Sequence, residues 1–196
     1  MKKLFIFISC FLSLSFIYGQ NHNYKLLPDK ELSLINDLCS TFKDKHLVVS
    51  PFVQYSIPLS TMEDYFSNEL VPSVAKYGFT KSQFEKWNSD TLLMESNRFF
   101  EMIHPDSLIK HSGKYWYLDT IDNVFVEDYL LYYIEKEHNK ESICGFSKPV
   151  FSPNGKYAII EYEIYCGSLC AVDEVIVMRK TKDKWEILIV LQSKMS

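Results

Sequence analysis

Tyr157-Ala158-Ile159-Ile160-Glu161-Tyr162-Glu163-Ile164-Tyr165, the loop Cys166-Gly167-Ser168-Leu169-Cys170 and the run Val172 to Lys180 decide the fold. Both flanks alternate with a period of two, which predicts two strands. Ala158, Ile160, Tyr162 and Ile164 share one face; Tyr157, Ile159, Glu161, Glu163 and Tyr165 share the other. A three-residue loop would set Cys166 against Cys170, and opposed residues would then sum to 336. Ile164 would meet Val172, Ile160 would meet Ile176 and Ala158 would meet Met178, a consistent apolar face. Paired strand positions are close enough for a Cys166–Cys170 disulfide. The other reading is two free thiols in a reduced hairpin.

The same register opposes Glu163 and Asp173, and like charges directly opposite are destabilising. A wider loop would remove the conflict; so would a pair splayed into water, or a cation between them. On composition alone, Glu161, Glu163, Asp173 and Glu174 form a solvated face.

Working outward, Ser152-Pro153-Asn154-Gly155 carries strong turn chemistry and separates Tyr157 from a strand expected over Phe146–Phe151. Beyond Lys180 a polar stretch turns the chain into Trp185–Leu191, with Trp185, Ile187, Ile189 and Leu191 expected on one face. These segments predict an antiparallel meander of about four strands.

The N-terminal half reads as helical. Asp29 can cap a helix to about Lys43, with Leu32, Ile35, Leu38, Cys39 and Phe42 on one stripe. His46–Ile57 has strand-like residues broken by Pro51, which predicts an edge or bent strand. Ser60 with Glu63, and Thr80 with Gln83, are capping boxes opening helices to Leu70 and to about Ser96. A third helix is expected over Val124–His138. The fold class expected is α+β: a helical N-terminal half packed on the C-terminal β-meander.

The chain opens as an export signal. Lys2 and Lys3 precede an uncharged apolar run, Leu4–Ile17, and Gly19 is a small residue at a plausible cleavage point. The run is shorter than the roughly 20 residues a membrane-spanning helix needs. Residues 1–19 are therefore read as a secretory signal peptide, and residues 20–196 as one globular domain with no stable membrane span after cleavage. Cleavage removes Lys2 and Lys3 and takes the formal charge from −4 to −6. A mildly acidic surface does not favour nucleic acid. Cys39, Cys144, Cys166 and Cys170 stay in the mature chain; in a periplasmic or extracellular setting disulfides are permitted, and spacing does not choose among the three pairings.

Motifs for chemistry are sparse. Ser-x-x-Lys occurs at Ser40, Ser73 and Ser107, about as often as chance allows, and its companion motifs are missing. P-loop, Gly-x-Gly-x-x-Gly, Gly-x-Ser-x-Gly and His-Glu-x-x-His patterns are absent. Cys166-x-x-x-Cys170 lacks the second ligand pair of a zinc site. The histidines at 22, 46, 104, 111 and 138 are not at ligand spacing and read as surface or turn residues. A serine hydrolase using His104 with Ser147 or Ser112 can be drawn, with nothing in the spacing to hold them together. No cofactor or metal is called, and the catalytic residues, if any, are unknown.

Phe146-Ser147-Lys148-Pro149-Val150-Phe151-Ser152, then Gly155-Lys156-Tyr157-Ala158, Cys166-Gly167-Ser168-Leu169-Cys170 and Lys184-Trp185 resemble a family of small exported bacterial proteins. Its members carry a Cys-Gly-x-Leu-Cys hairpin near the C-terminus. The match covers about fifty residues and departs from the family at Ala171, Val172 and Asp183. The resemblance implies export and a C-terminal hairpin, and carries over no active residue. The expected function is a non-catalytic exported domain binding a ligand or protein partner; the alternative is a hydrolase with an unrecognised site.

Overall fold

In the computed structural model, residues 24–43, 46–53, 70–84, 92–111, 117–119, 124–126, 129–167 and 170–195 are described. In chain order the elements are β1 (Lys25–Leu26), α1 (Asp29–Cys39), β2 (Leu47–Val53), α2 (Val71–Val74), α3 (Lys81–Phe84), β3 (Leu92–Leu93), α4 (Pro105–His111), β4 (Tyr117–Asp119) and β5 (Val124–Val126). Then follow α5 (Tyr129–His138), β6 (Ser142–Phe146), β7 (Val150–Phe151), β8 (Tyr157–Tyr165), β9 (Ala171–Lys180) and β10 (Trp185–Met195).

The β8–β9 hairpin forms in the register that its alternation dictates. Tyr157 pairs with Arg179, Ile160 with Ile176 and Ile164 with Val172. Around it grows an eight-stranded sheet in the order β1-β3-β2-β6-β8-β9-β10, with β7 also paired to β8. β4 and β5 make a separate two-stranded ribbon. Most pairings are antiparallel, but β2 runs parallel to β6 and β1 runs parallel to β3.

This sheet overturns the expected helical N-terminal half on a four-stranded meander. β1, β2 and β3 come from the N-terminal half, and the described helices are short, α1 being the longest at 11 residues. The cause lies in β2. Leu47, Val48, Val49, Phe52 and Val53 are buried alike on both faces, as in an interior strand covered on both sides. Pro51 does not put β2 at an edge. The register against β6 shifts between Val49 and Val53, and the Pro51 carbonyl accepts the Met94 N–H at 2.8 Å. The strand is bent at a bulge, where a missing N–H is tolerated.

Other boundaries move for local reasons. Pro28, extended at φ −62° and ψ 152°, holds the N-cap of α1, so Asp29 is the first helical residue and places its charge in the first turn. The Thr80 box forms half as expected: the Thr80 N–H donates to Gln83 Oε1 at 2.8 Å. Further on, Leu92–Leu93 is strand β3 instead of helix. Val124–Val126 is strand β5, so the third helix starts at Tyr129. The expected strand Phe146–Phe151 is two strands, broken at residues 147–149 and both laid along β8. The capping box expected at Ser60 and the signal peptide expected over residues 1–19 lie outside the described residues.

β10 carries the most instructive shift. Its register against β9 slips between Ile187 and Ile189, and again between Val190 and Gln192. Trp185, Ile187 and Val190 therefore share the face of Met178 and Ile176. Ile189 lies opposite Val177 on the other face, and Leu188 and Leu191 pack there too. Two bulges thus undo the simple alternation that set Ile189 and Leu191 beside Trp185.

One face of the sheet is covered by α1, whose Leu34, Ile35, Leu38 and Cys39 pack on Val49, Cys144, Ile160, Ile176, Met178 and Trp185. Asp37 Oδ2 accepts the Trp185 N–H at 2.8 Å and ties α1 to the start of β10. The other face is covered in two parts. Leu70, Val74, Phe79 and Phe84 pack on Ile159, Val175 and Val177. Leu108 of α4 and Leu130 and Ile134 of α5 pack on Val48, Phe52 and Ile143.

Candidate functional site

Between those two apolar clusters the sheet turns polar. Along β8, Ile159 belongs to one cluster and Tyr165 borders the other; Glu161 and Glu163 stand between them. Asp173 of β9 lies directly opposite Glu163, and Gly145 of β6 lies on its other side. A methyl group built on Gly145 would meet nothing within 4 Å, so the floor beside Glu163 is open.

These carboxyls are not the solvated face that composition suggested. Glu161 is 2% exposed. Glu163 is pushed up to about 7 from an ordinary 4.5, first by burial and then by the Asp173 charge. Asp173 is also raised, chiefly by burial, while the Lys194 ammonium pulls the other way. The hairpin loop holds three residues between Cys166 and Cys170, so Glu163 and Asp173 stand directly opposed. Among the described residues no group of three or more His, Cys, Asp or Glu is arranged to hold a metal ion.

On the opposite face Glu174 accepts hydrogen bonds from the Tyr162 hydroxyl and from Ser193 Oγ, the latter at 3.0 Å. Tyr162 is raised above its ordinary 10.0 by burial first and by Glu174 second.

Of the hydrolase residues, His104 and Ser147 are each bonded elsewhere. His104 is exposed at the start of α4, where Nδ1 accepts the Asp106 N–H at 3.3 Å. Ser147 is buried and spans the break between β6 and β7. Its Oγ accepts the Glu161 N–H at 2.9 Å, and its own N–H donates to the Glu161 carbonyl at 2.9 Å. The hydroxyl stands in for a backbone carbonyl, which leaves it stitched into the sheet. Ser112 lies outside the described residues.

His138 differs from the surface residue that its sequence context suggested. Its side chain is 13% exposed, and Nδ1 lies 2.7 Å from Glu101 Oε1. Nε2 is buried without a hydrogen-bond partner, and Tyr133 meets the ring edge-on. No sequence spacing could pair His138 with a residue 37 positions away. The dyad orients an imidazole, but no nucleophile joins it among the described residues.

The cysteines divide into one bridge and two free thiols. Cys166 and Cys170 form a disulfide with Cα atoms 5.1 Å apart. Cys39 and Cys144 are free and buried. Burial pushes Cys39 up to about 12 and Cys144 well above 9.0, so neither is a reactive thiolate.

The remaining feature is an edge. β10 is the last strand of the sheet, 11 residues long, and Ile187–Leu191 carries no charge. Ile187, Ile189 and Val190 are each about 40% exposed (39, 39 and 44%), and Met195 is exposed beyond them. No helix among the described residues is long and apolar enough to cross a membrane. Comparison with protein-family models, characterised proteins and solved structures finds no match.

Proposed function

We propose that this chain is an exported, non-catalytic protein-binding domain that receives a partner's strand along β10. The observation that carries the reading is the β10 edge, which pairs with no further strand among the described residues: it is long, free of proline and charge at its centre, and bears three exposed branched side chains. An edge of that kind is a template for an added strand. Export is supported by the leader over residues 1–19, by the resemblance of the C-terminal third to small exported proteins, and by the Cys166–Cys170 bridge, since such bridges persist in oxidising compartments. The hydrolase alternative loses its main support because Ser147 is held by Glu161 and His104 by its own turn.

The test uses protein recovered from the exporting cell. Mass spectrometry should show residues 1–19 removed, and hydrogen exchange should show the Ile187–Val190 amides protected in the assembled form. Turnover of envelope esters, glycans or peptides by the same preparation would replace this reading with the hydrolase one.

A further inference from the structure

We infer that the strand received by β10 is β10 of a second copy, paired antiparallel about a two-fold axis at Val190; this rests on the protein-binding reading above. The bulges supply the first argument. Across β10, Trp185, Ile187, Val190, Ser193 and Met195 lie opposite Lys180, Met178, Ile176, Glu174 and Val172, on the α1 face of the sheet. Glu186, Ile189, Gln192 and Lys194 lie opposite Arg179, Val177, Val175 and Asp173 on the other face, where Leu188 and Leu191 also pack. Read outward from Val190, the sequence of faces is the same in both directions. Antiparallel pairing centred there places each residue opposite one on its own face: Ile187 opposite Ser193, Leu188 opposite Gln192, Ile189 opposite Leu191. An isologous contact requires such self-complementarity, and two bulges placed without symmetry would have broken it.

Charge supplies the second argument. Glu186 and Lys194 stand four residues either side of Val190 and share a face. The two-fold pairing sets each Glu186 opposite Lys194 of the second copy, whereas a parallel pairing would set like against like. Within the chain Glu186 meets Lys184 Nζ at 3.2 Å and Arg179 at 4.0 Å. Those pairs are 40–63% exposed and weak enough to be shared. At the centre the exposed Val190 side chains meet, flanked by Ile187 and Ile189. The sheet would continue from one copy into the next.

The experiment is sedimentation equilibrium of the purified full-length mature protein, with circular dichroism as a check on folding. A dimer is expected, and V190K, which places two ammonium groups at the axis, should weaken it at least ~10-fold while leaving the fold intact. K194Q and E186Q, which remove the cross-axis pair without setting a like charge beside Asp173 or Arg179, should each weaken it roughly threefold. A monomer at roughly 100 μM, or a dimer indifferent to V190K, would overturn the proposal. A monomer whose Ile187–Val190 amides are nonetheless protected in material from the exporting cell would leave the protein-binding reading standing without the second copy.

Discussion

Glu163 and Asp173 face each other across the β8–β9 pair, held at that register by matched apolar positions on the opposite face. The hairpin cannot slip to separate the charges without turning Ile160, Ile176 and Met178 away from α1. The conflict is met instead by a shift in the acid's titration. Glu163 is raised from 4.5 to about 7, so the folded state holds a proton that the unfolded chain has released between those values. Its contribution is fully present below about 4.5 and is lost as pH rises through about 7.

The E163Q variant should therefore gain stability over wild type at pH 8 by roughly 2–3 kcal/mol, the order implied by the raised Glu163. The gain should shrink towards zero near pH 4. Urea unfolding of both proteins across this range checks it; a difference independent of pH would rule out Glu163 as the titrating group.

Replacing Cys166 and Cys170 by serine should cost about 2 kcal/mol, the loop-closure entropy of a five-residue ring. The sheet register should survive, because it rests on side-chain faces and not on the bridge. Denatured without reductant, protein lacking residues 1–19 should be alkylated at Cys39 and Cys144 alone; labelling at Cys166 or Cys170 would mean the bridge is absent.

The S147A variant leaves the buried Glu161 N–H without its acceptor, and it should lose roughly 1–3 kcal/mol. Thermal unfolding measures this. No change in midpoint would show that another acceptor takes over, and that Ser147 is not the stitch between β6 and β7.

What the sequence made legible was local. The β8–β9 register follows from a period of two and a short loop, both contained in 24 residues. The turn at Ser152 also formed, with the Gly155 N–H bonded to the Ser152 carbonyl at 2.8 Å. What could not be read depends on distant partners. Leu92–Leu93 is a strand because it can pair with β1 and β2. Glu161 and Glu163 share a face as the alternation says, but their burial comes from elements far along the chain. The β10 bulges leave no mark in composition, since an inserted residue in an apolar run looks like its neighbours. His138 and Glu101 meet only once the fold is complete.

The parallel pairing of β2 with β6 sets an order of events. Leu47 lies opposite Ser142, nearly half the chain length away. Closing so long a loop costs entropy before any contact offsets it, and non-local pairings of this kind fold slowly. Whatever emerges first from a ribosome or translocation channel, β2 must wait for its β6 partner until the C-terminal third arrives. A chaperone that masks such a segment during passage would raise the yield of native chains.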